Sequence, residues 1–191
     1  MDAEIQAGRL LVATPKLDDV NFRRTVVLVV EHVEEEGTLG VVLNRPTEVP
    51  VERVLAPWAE LVTGPPVIFQ GGPVALDGAL ALALRRGAEE PLGWRALDAV
   101  PGMAELGLVD LDAPPQVIAP ELGGLRVFAG YAGWGAGQLL GEIDEGAWYV
   151  LAAEPADAFQ ADPGVLWRNV LRRQGGDLAI VATFPDDPTL N

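Results

Sequence analysis

The sequence predicts an α+β fold in a single domain, and three observations carry that reading. The chain has 191 residues, within the roughly 100–200 typical of one domain. Hydrophobic residues make up 49% of it, enough to bury a sizeable core. Apolar runs of strand length dominate, and segments of helical spacing fall between them irregularly rather than in β–α–β alternation. The 22 Gly and 16 Pro imply many turns. No internal repeat or linker divides the chain.

Gly8–Thr14 is an apolar run closed by Pro15 and reads as a strand, followed by a polar loop over Lys16–Phe22. Thr25–Val33 is nearly continuous and β-branched, the pattern of a strand buried on both faces. Leu39–Asn44 is its return strand across a Gly-containing turn, so the two form a hairpin. Arg45-Pro46 should end it, because Pro cannot donate to a central ladder. Val51, Val54, Leu55 and Trp58 make one helical stripe. Val67–Gln70 is a strand that runs into the turn Gly71-Gly72-Pro73. Ala79–Leu84 is another strand, residues 87–103 read as loop, and Leu108–Leu111 as a further strand. Pro115–Leu122 suggests a helix stopped by Gly123-Gly124. Leu125–Tyr131 and Ala147–Ala152 are strands, with a Gly-rich turn and short helix over Gly133–Gly141 between them. Asp162 has the position of an N-cap, with Pro163 first in the helix. Leu166, Val170 and Leu171 share one face of that helix, and Gly175-Gly176 ends it. Leu178–Phe184 is a last apolar segment.

Composition excludes several chemistries. The chain has no Ser and no Cys, one His (His32) and one Lys (Lys16). No Ser or Cys nucleophile is available, and neither a Cys-rich zinc site nor a Walker A loop can be built. The lack of disulfides fits a reducing compartment. The net charge is −15, which repels phosphate backbones and anionic lipid, so neither nucleic acid nor a membrane is an expected partner. The acidic start Met1-Asp2-Ala3-Glu4 lacks the basic region of a secretory signal, and cytoplasmic location is the expectation. The apolar content allows a homodimer without requiring one.

Residues 130–137, Gly130-Tyr131-Ala132-Gly133-Trp134-Gly135-Ala136-Gly137, follow a strand and open a helix. This is a context for anion binding and equally for a tight turn. No basic residue lies near it, and Glu142 would oppose an anion. Asn44-Arg45-Pro46 and Gln70-Gly71-Gly72-Pro73 each end a strand in polar groups, and Arg45 could clamp a carboxylate or phosphate or form a structural pair with an Asp. If these loops converge, Asn44, Arg45, Gln70, Gly71, Gly72, Tyr131, Gly133, Trp134 and Gln138 would line a small polar-aromatic pocket. His32 with Glu34 supplies too few ligands for a metal. Asp18-Asp19, Asp110 with Asp112, and Asp186-Asp187 could hold Mg²⁺ or do acid–base work if they converged. Arg168, Arg172 and Arg173 form the one basic cluster, near a helix C-terminus that favours positive charge.

Together the motifs resemble the YqgE/AlgH family of small bacterial proteins. The resemblance rests on Gly8–Pro15, Phe22-Arg23-Arg24-Thr25-Val26, His32, Gly37, Leu39–Pro46 and Gln70–Val74. It continues through Gly130–Trp134, Gly137-Gln138-Leu139, Gly146-Ala147-Trp148, Leu166-Trp167-Arg168 and the Asp187–Asn191 end. One position departs from the family pattern: Leu140 stands where an acidic residue is common. The resemblance implies a small barrel-like, partly split β-sheet flanked by helices. It brings no catalytic residue and no cofactor, and attaches the label of a putative regulator. The expected function is therefore a non-catalytic module that binds a small ligand or a protein. A carboxylate- or Mg-dependent enzyme acting on a phosphorylated or glycan substrate is the alternative, and a transcriptional regulator the second alternative.

Overall fold

The structure is a computed structural model that describes residues 4–97 and 100–187. The Met1–Ala3 start and the Pro188–Asn191 part of the last motif lie outside the described residues.

The first strands follow the sequence closely. β1 (Arg9–Ala13) pairs antiparallel with β2 (Val26–Val33), which pairs with β3 (Gly37–Val42) as a hairpin. The first five residues of β2 are all buried, as its unbroken apolar run requires. β4 (Pro46–Pro50) then begins at the proline expected to end the hairpin. The correction has a physical reason. Pro46 is the first residue of a short strand whose pairing with β5 (Val67–Gln70) is irregular, and Pro is tolerated at strand starts and edges. Between them, α1 (Val51–Leu55) gives way to a 3₁₀ turn at Ala56-Pro57. The expected stripe therefore breaks: Val51 and Trp58 are buried while Val54 faces solvent.

β6 (Val74–Arg85) is longer than its alternating Ala–Leu core. β7 (Trp94–Ala96) lies inside the stretch read as loop, and β8 (Leu106–Val109) starts two residues before the expected strand. α2 (Pro115–Ile118) is short, and Gly123-Gly124 are not its stop but part of the 14-residue β9 (Leu122–Gly135). Then come α3 (Gln138–Asp144), β10 (Trp148–Ala152), α4 (Leu166–Gln174) and α5 (Gly176–Val181). The Asp162 side chain accepts the Gly164 N–H at 3.1 Å, capping the 3₁₀ turn that leads into α4.

The strand order is β10-β1-β2-β3-β9-β6-β8-β7, with β5 added parallel to β9 and β4 beside β5. β9 joins the two parts of this curled, largely antiparallel sheet. Its last residues pair with β3 and its earlier ones with β6. Side chains alternate across it with period two. Leu10, Val12, Leu28, Val41, Phe69, Leu82 and Phe128 fill the inner core under α4. Their neighbours divide between two outer clusters. Leu11, Val27, Val29 and Val42 pack with Trp134, Leu139 and Trp148. Ile68, Ala81, Ala83 and Val127 pack with Val51 and Trp58. No described helix is long and apolar enough to cross a membrane.

Candidate functional site

The loop before β2 and the start of α4 meet at one end of the inner core. Asp19 accepts the backbone N–H groups of Phe22 and Arg23 through its carbonyl, and Arg24 follows at φ 59. This left-handed conformation costs a non-glycine residue of order 1 kcal/mol or more. Asn44 holds it in place. Its side-chain oxygen accepts the Val26 N–H at 3.0 Å, and its amide donates to the Arg24 carbonyl at 2.8 Å. Arg45 donates to the Arg23 carbonyl at 2.6 Å, so its partner there is backbone rather than an Asp. The Arg24 guanidinium lies 4.0 Å from the centroid of the Trp167 ring and reaches the carbonyls of Phe184 and Pro185. Trp167 in turn donates its indole N–H to the Ala13 carbonyl at 2.8 Å. Arg168 donates to the Ala182 carbonyl at 2.6 Å and to Asp186 at 2.8 Å.

These side chains surround an open cleft of about 310 Å³. Four arginines line it, Arg23, Arg24, Arg45 and Arg168, with Asp186 as the carboxylate among the described lining residues. Burial lowers the Arg24 pKa, Asp186 opposes that, and Arg168 and Arg23 lower it further. Burial and Arg23 likewise lower that of Arg45. The guanidinium groups therefore repel one another within a chain of net charge −15.

The remaining expected residues lie beside this cleft or away from it. The backbones of the three loops do run together. Gln70 donates its N–H to the Arg45 carbonyl, and Gly71 to the Ala129 carbonyl, both at 2.8 Å. Gly72 packs against the Tyr131 carbonyl. The side chains diverge. Tyr131, Gly133 and Trp134 border a separate shallow cavity with Glu31 and Glu36. Trp134 is buried and forms an edge-packed aromatic group with Phe22 and Trp148. Glu142 ties that group together. One carboxylate oxygen accepts the indole N–H groups of Trp134 at 2.9 Å and Trp148 at 2.8 Å, and the other accepts the Gln138 amide at 3.2 Å. Glu142→Leu leaves two largely buried indole donors without their acceptor and is expected to cost about 2–4 kcal/mol. Urea unfolding followed by tryptophan fluorescence checks this.

His32 meets the Thr38 hydroxyl at 2.8 Å. The acidic pairs stay apart: Asp18 faces Arg23, Asp110 closes a turn at Asp112, and Asp186 is on Arg168. Among the described residues no group of three or more His, Cys, Asp or Glu is placed to hold a metal. The basic cluster near the end of α4 also splits. Arg168 joins the cleft, while Arg173 is committed to Asp157 through two 2.8 Å hydrogen bonds, which raise its pKa. Sequence reasoning found Asn44 and Arg45 but did not group Arg23, Arg24, Trp167 and Arg168 with them. The available signal was the Arg23-Arg24 pair and its place among the segments that carry the resemblance.

Comparison with known proteins places this architecture. The AlgH-like family matches residues 10–179. The chain belongs to the AlgH-like family. A UPF0301 protein of Thermobifida fusca is 59% identical to it, over 100% of this chain and 98% of the relative. A UPF0301 protein of Streptomyces coelicolor is 58% identical, over 96% and 94%. Two solved structures share the fold. Protein DIP2367 of Corynebacterium diphtheriae superposes with a TM-score of 0.86 at 33% identity, covering 96% of this chain and 95% of that one. The solution structure of AlgH from Pseudomonas aeruginosa gives 0.67 at 28% identity, with 97% and 98% covered. The arginine cleft of this AlgH-like chain is built from three of the segments that carry the resemblance: Phe22–Val26, Leu39–Pro46 and Leu166–Arg168.

Proposed function

We propose that this AlgH-like protein is a non-catalytic binding module whose ligand, a small molecule or a segment of another protein, sits in the arginine cleft. The observation that carries the reading is the convergence of four guanidinium groups on one cavity in a strongly acidic chain. Grouping like charges has a cost that an anionic ligand offsets. Asn44 supports the same reading, because it fixes a strained Arg24 whose geometry the hairpin alone would not require. Binding rather than turnover fits a chain without a Ser or Cys nucleophile.

A thermal-shift screen of nucleotides and metabolites tests this. Compounds that stabilise the wild type are expected to lose their effect in Arg45→Gln and keep it in Arg53→Gln, an exposed arginine on α1. A stabiliser unaffected by Arg45→Gln locates its site elsewhere. A screen without any stabiliser removes the small-molecule form of the proposal.

A further inference from the structure

We infer that the arginine cleft takes a phosphoryl group carrying at least two negative charges, as part of a small phosphorylated compound. This rests on the reading of the cleft as the binding site and adds the chemical class of the ligand.

The first reason is the ratio of charges. Four arginines face the cavity, and Asp186, which lines it, is 83% exposed and pairs with Arg168 at 2.8 Å. Arg23 meets Asp18 at 3.6 Å, with both side chains more than half exposed, so that pair neutralises little. A carboxylate presents two oxygens and one charge, enough to engage one guanidinium fork, as Asp186 does at Arg168. A phosphoryl group presents three terminal oxygens and up to about two charges at neutral pH. It can therefore engage several forks at once, and arginine is the side chain suited to such bidentate contact.

The second reason is that these cations are already held in position. Arg24 is clamped over Trp167, Arg168 against the Ala182 carbonyl, and Arg45 on the Arg23 carbonyl. Much of the ordering that binding would otherwise require is built into the fold, which favours a compact anion over a flexible chain. The third is size. A cavity of about 310 Å³ is at the lower end of small-molecule sites and exceeds what a single phosphoryl group fills, leaving space for a small organic body. Asp186 stands on the Arg168 fork, so the entering phosphoryl oxygens replace its carboxylate there.

The test is calorimetric titration of the full chain with inorganic pyrophosphate, and with citrate as a polycarboxylate, at one fixed ionic strength near 0.15 M so that screening is constant. Pyrophosphate is expected to bind saturably at one site and at least about tenfold more tightly than citrate. Arg45→Gln and Arg168→Gln are each expected to weaken it by about tenfold or more, as loss of a charged hydrogen-bonding partner does. Asp186→Asn is expected to tighten it. Circular dichroism and unfolding midpoints confirm that each variant is folded. If Arg168→Gln fails that check, Arg45→Gln and Asp186→Asn decide. Citrate binding as tightly as pyrophosphate, with both lost in Arg45→Gln, overturns the phosphoryl assignment and leaves the cleft as the binding site. Pyrophosphate that does not bind, or binds equally to the wild type and Arg45→Gln, overturns the inference itself.

Discussion

Replacing Arg126 by Met is expected to lower the stability of this protein by about 3–5 kcal/mol, read as a shift of the urea midpoint without a change of slope. Arg126 lies on β9 and is 1% exposed. Its guanidinium donates to three backbone carbonyls: Ala158 at 3.2 Å, Gln160 at 3.1 Å and Gly64 at 2.7 Å. It also lies 4.3 Å from the centroid of Phe69. One side chain thus ties β9 to two loops distant in sequence. Two opposing effects decide the sign. Burial without a carboxylate makes the cation costly and lowers its pKa from 12.5 to about 10, so Met relieves a desolvation penalty. Met also strands three carbonyls, each worth about 1–3 kcal/mol when left unpaired, and forfeits the ring contact. The stranded acceptors outnumber the relieved charge, so the substitution destabilises.

The same group gives a pH signature of definite sign. Its folded pKa lies below the unfolded value, so the unfolded chain holds more protons between about pH 10 and 12.5. The penalty of the buried charge is present in full below pH 10 and fades above it. Wild-type stability, measured relative to Arg126→Met, should therefore rise from pH 8 to pH 10.5. A ratio independent of pH would mean that the carbonyls hold the cation fully charged.

Arg126 also shows where sequence reading stops. Its strand was legible from Leu125–Tyr131, and alternation places residue 126 on the same face as Phe128. What the pattern cannot show is that this face is the inner one, because the other face of β9 is apolar too. The β2–β3 hairpin, the Asp162 cap and the face of α4 were legible because each depends on residues adjacent in sequence. β4 and β7 were not, because a short strand bounded by Pro or Gly is stabilised mainly by the partner it meets. The candidate site divides the same way. Asn44 and Arg45 announce themselves as polar groups at a strand end. Arg24 does not, because its left-handed backbone and its place over Trp167 depend on residues 20 and 143 positions away. Conversely, the Gly-rich Tyr131–Gln138 stretch has the composition of an anion-binding turn, while its Trp134 and Gln138 are engaged by Glu142. The motif signal came from glycines, and glycine is also what a close backbone crossing needs.

That crossing supports the last prediction. Gly72→Ala is expected to cost about 4 kcal/mol or more, or to prevent folding altogether, whereas Gly87→Ala is expected to be neutral or slightly stabilising. Gly72 has φ +155, and a Cβ there would fall inside the Tyr131 carbonyl and the Ala132 nitrogen. Both obstacles are backbone, so no rotamer change relieves them. Gly130 faces it from β9 at φ +72, and its own Cβ would meet the Gly72 carbonyl oxygen at 2.6 Å. The two glycines therefore let the chain between β5 and β6 pass directly over β9. Pro73 restricts the backbone on the far side and prevents a compensating shift. A Cβ on Gly87 meets nothing within 4 Å, so that variant isolates the loss of glycine itself from the loss of the crossing. The consequence reaches the arginine cleft, because Gln70, two residues before Gly72, donates its N–H to the Arg45 carbonyl at 2.8 Å. Displacing the crossing displaces that donor and, with it, the Arg45 main chain. Any Gly72→Ala protein that still folds is accordingly expected to bind pyrophosphate more weakly than Gly87→Ala does. Equal binding by the two would show that Arg45 is positioned by Asn44 and the β3 end alone.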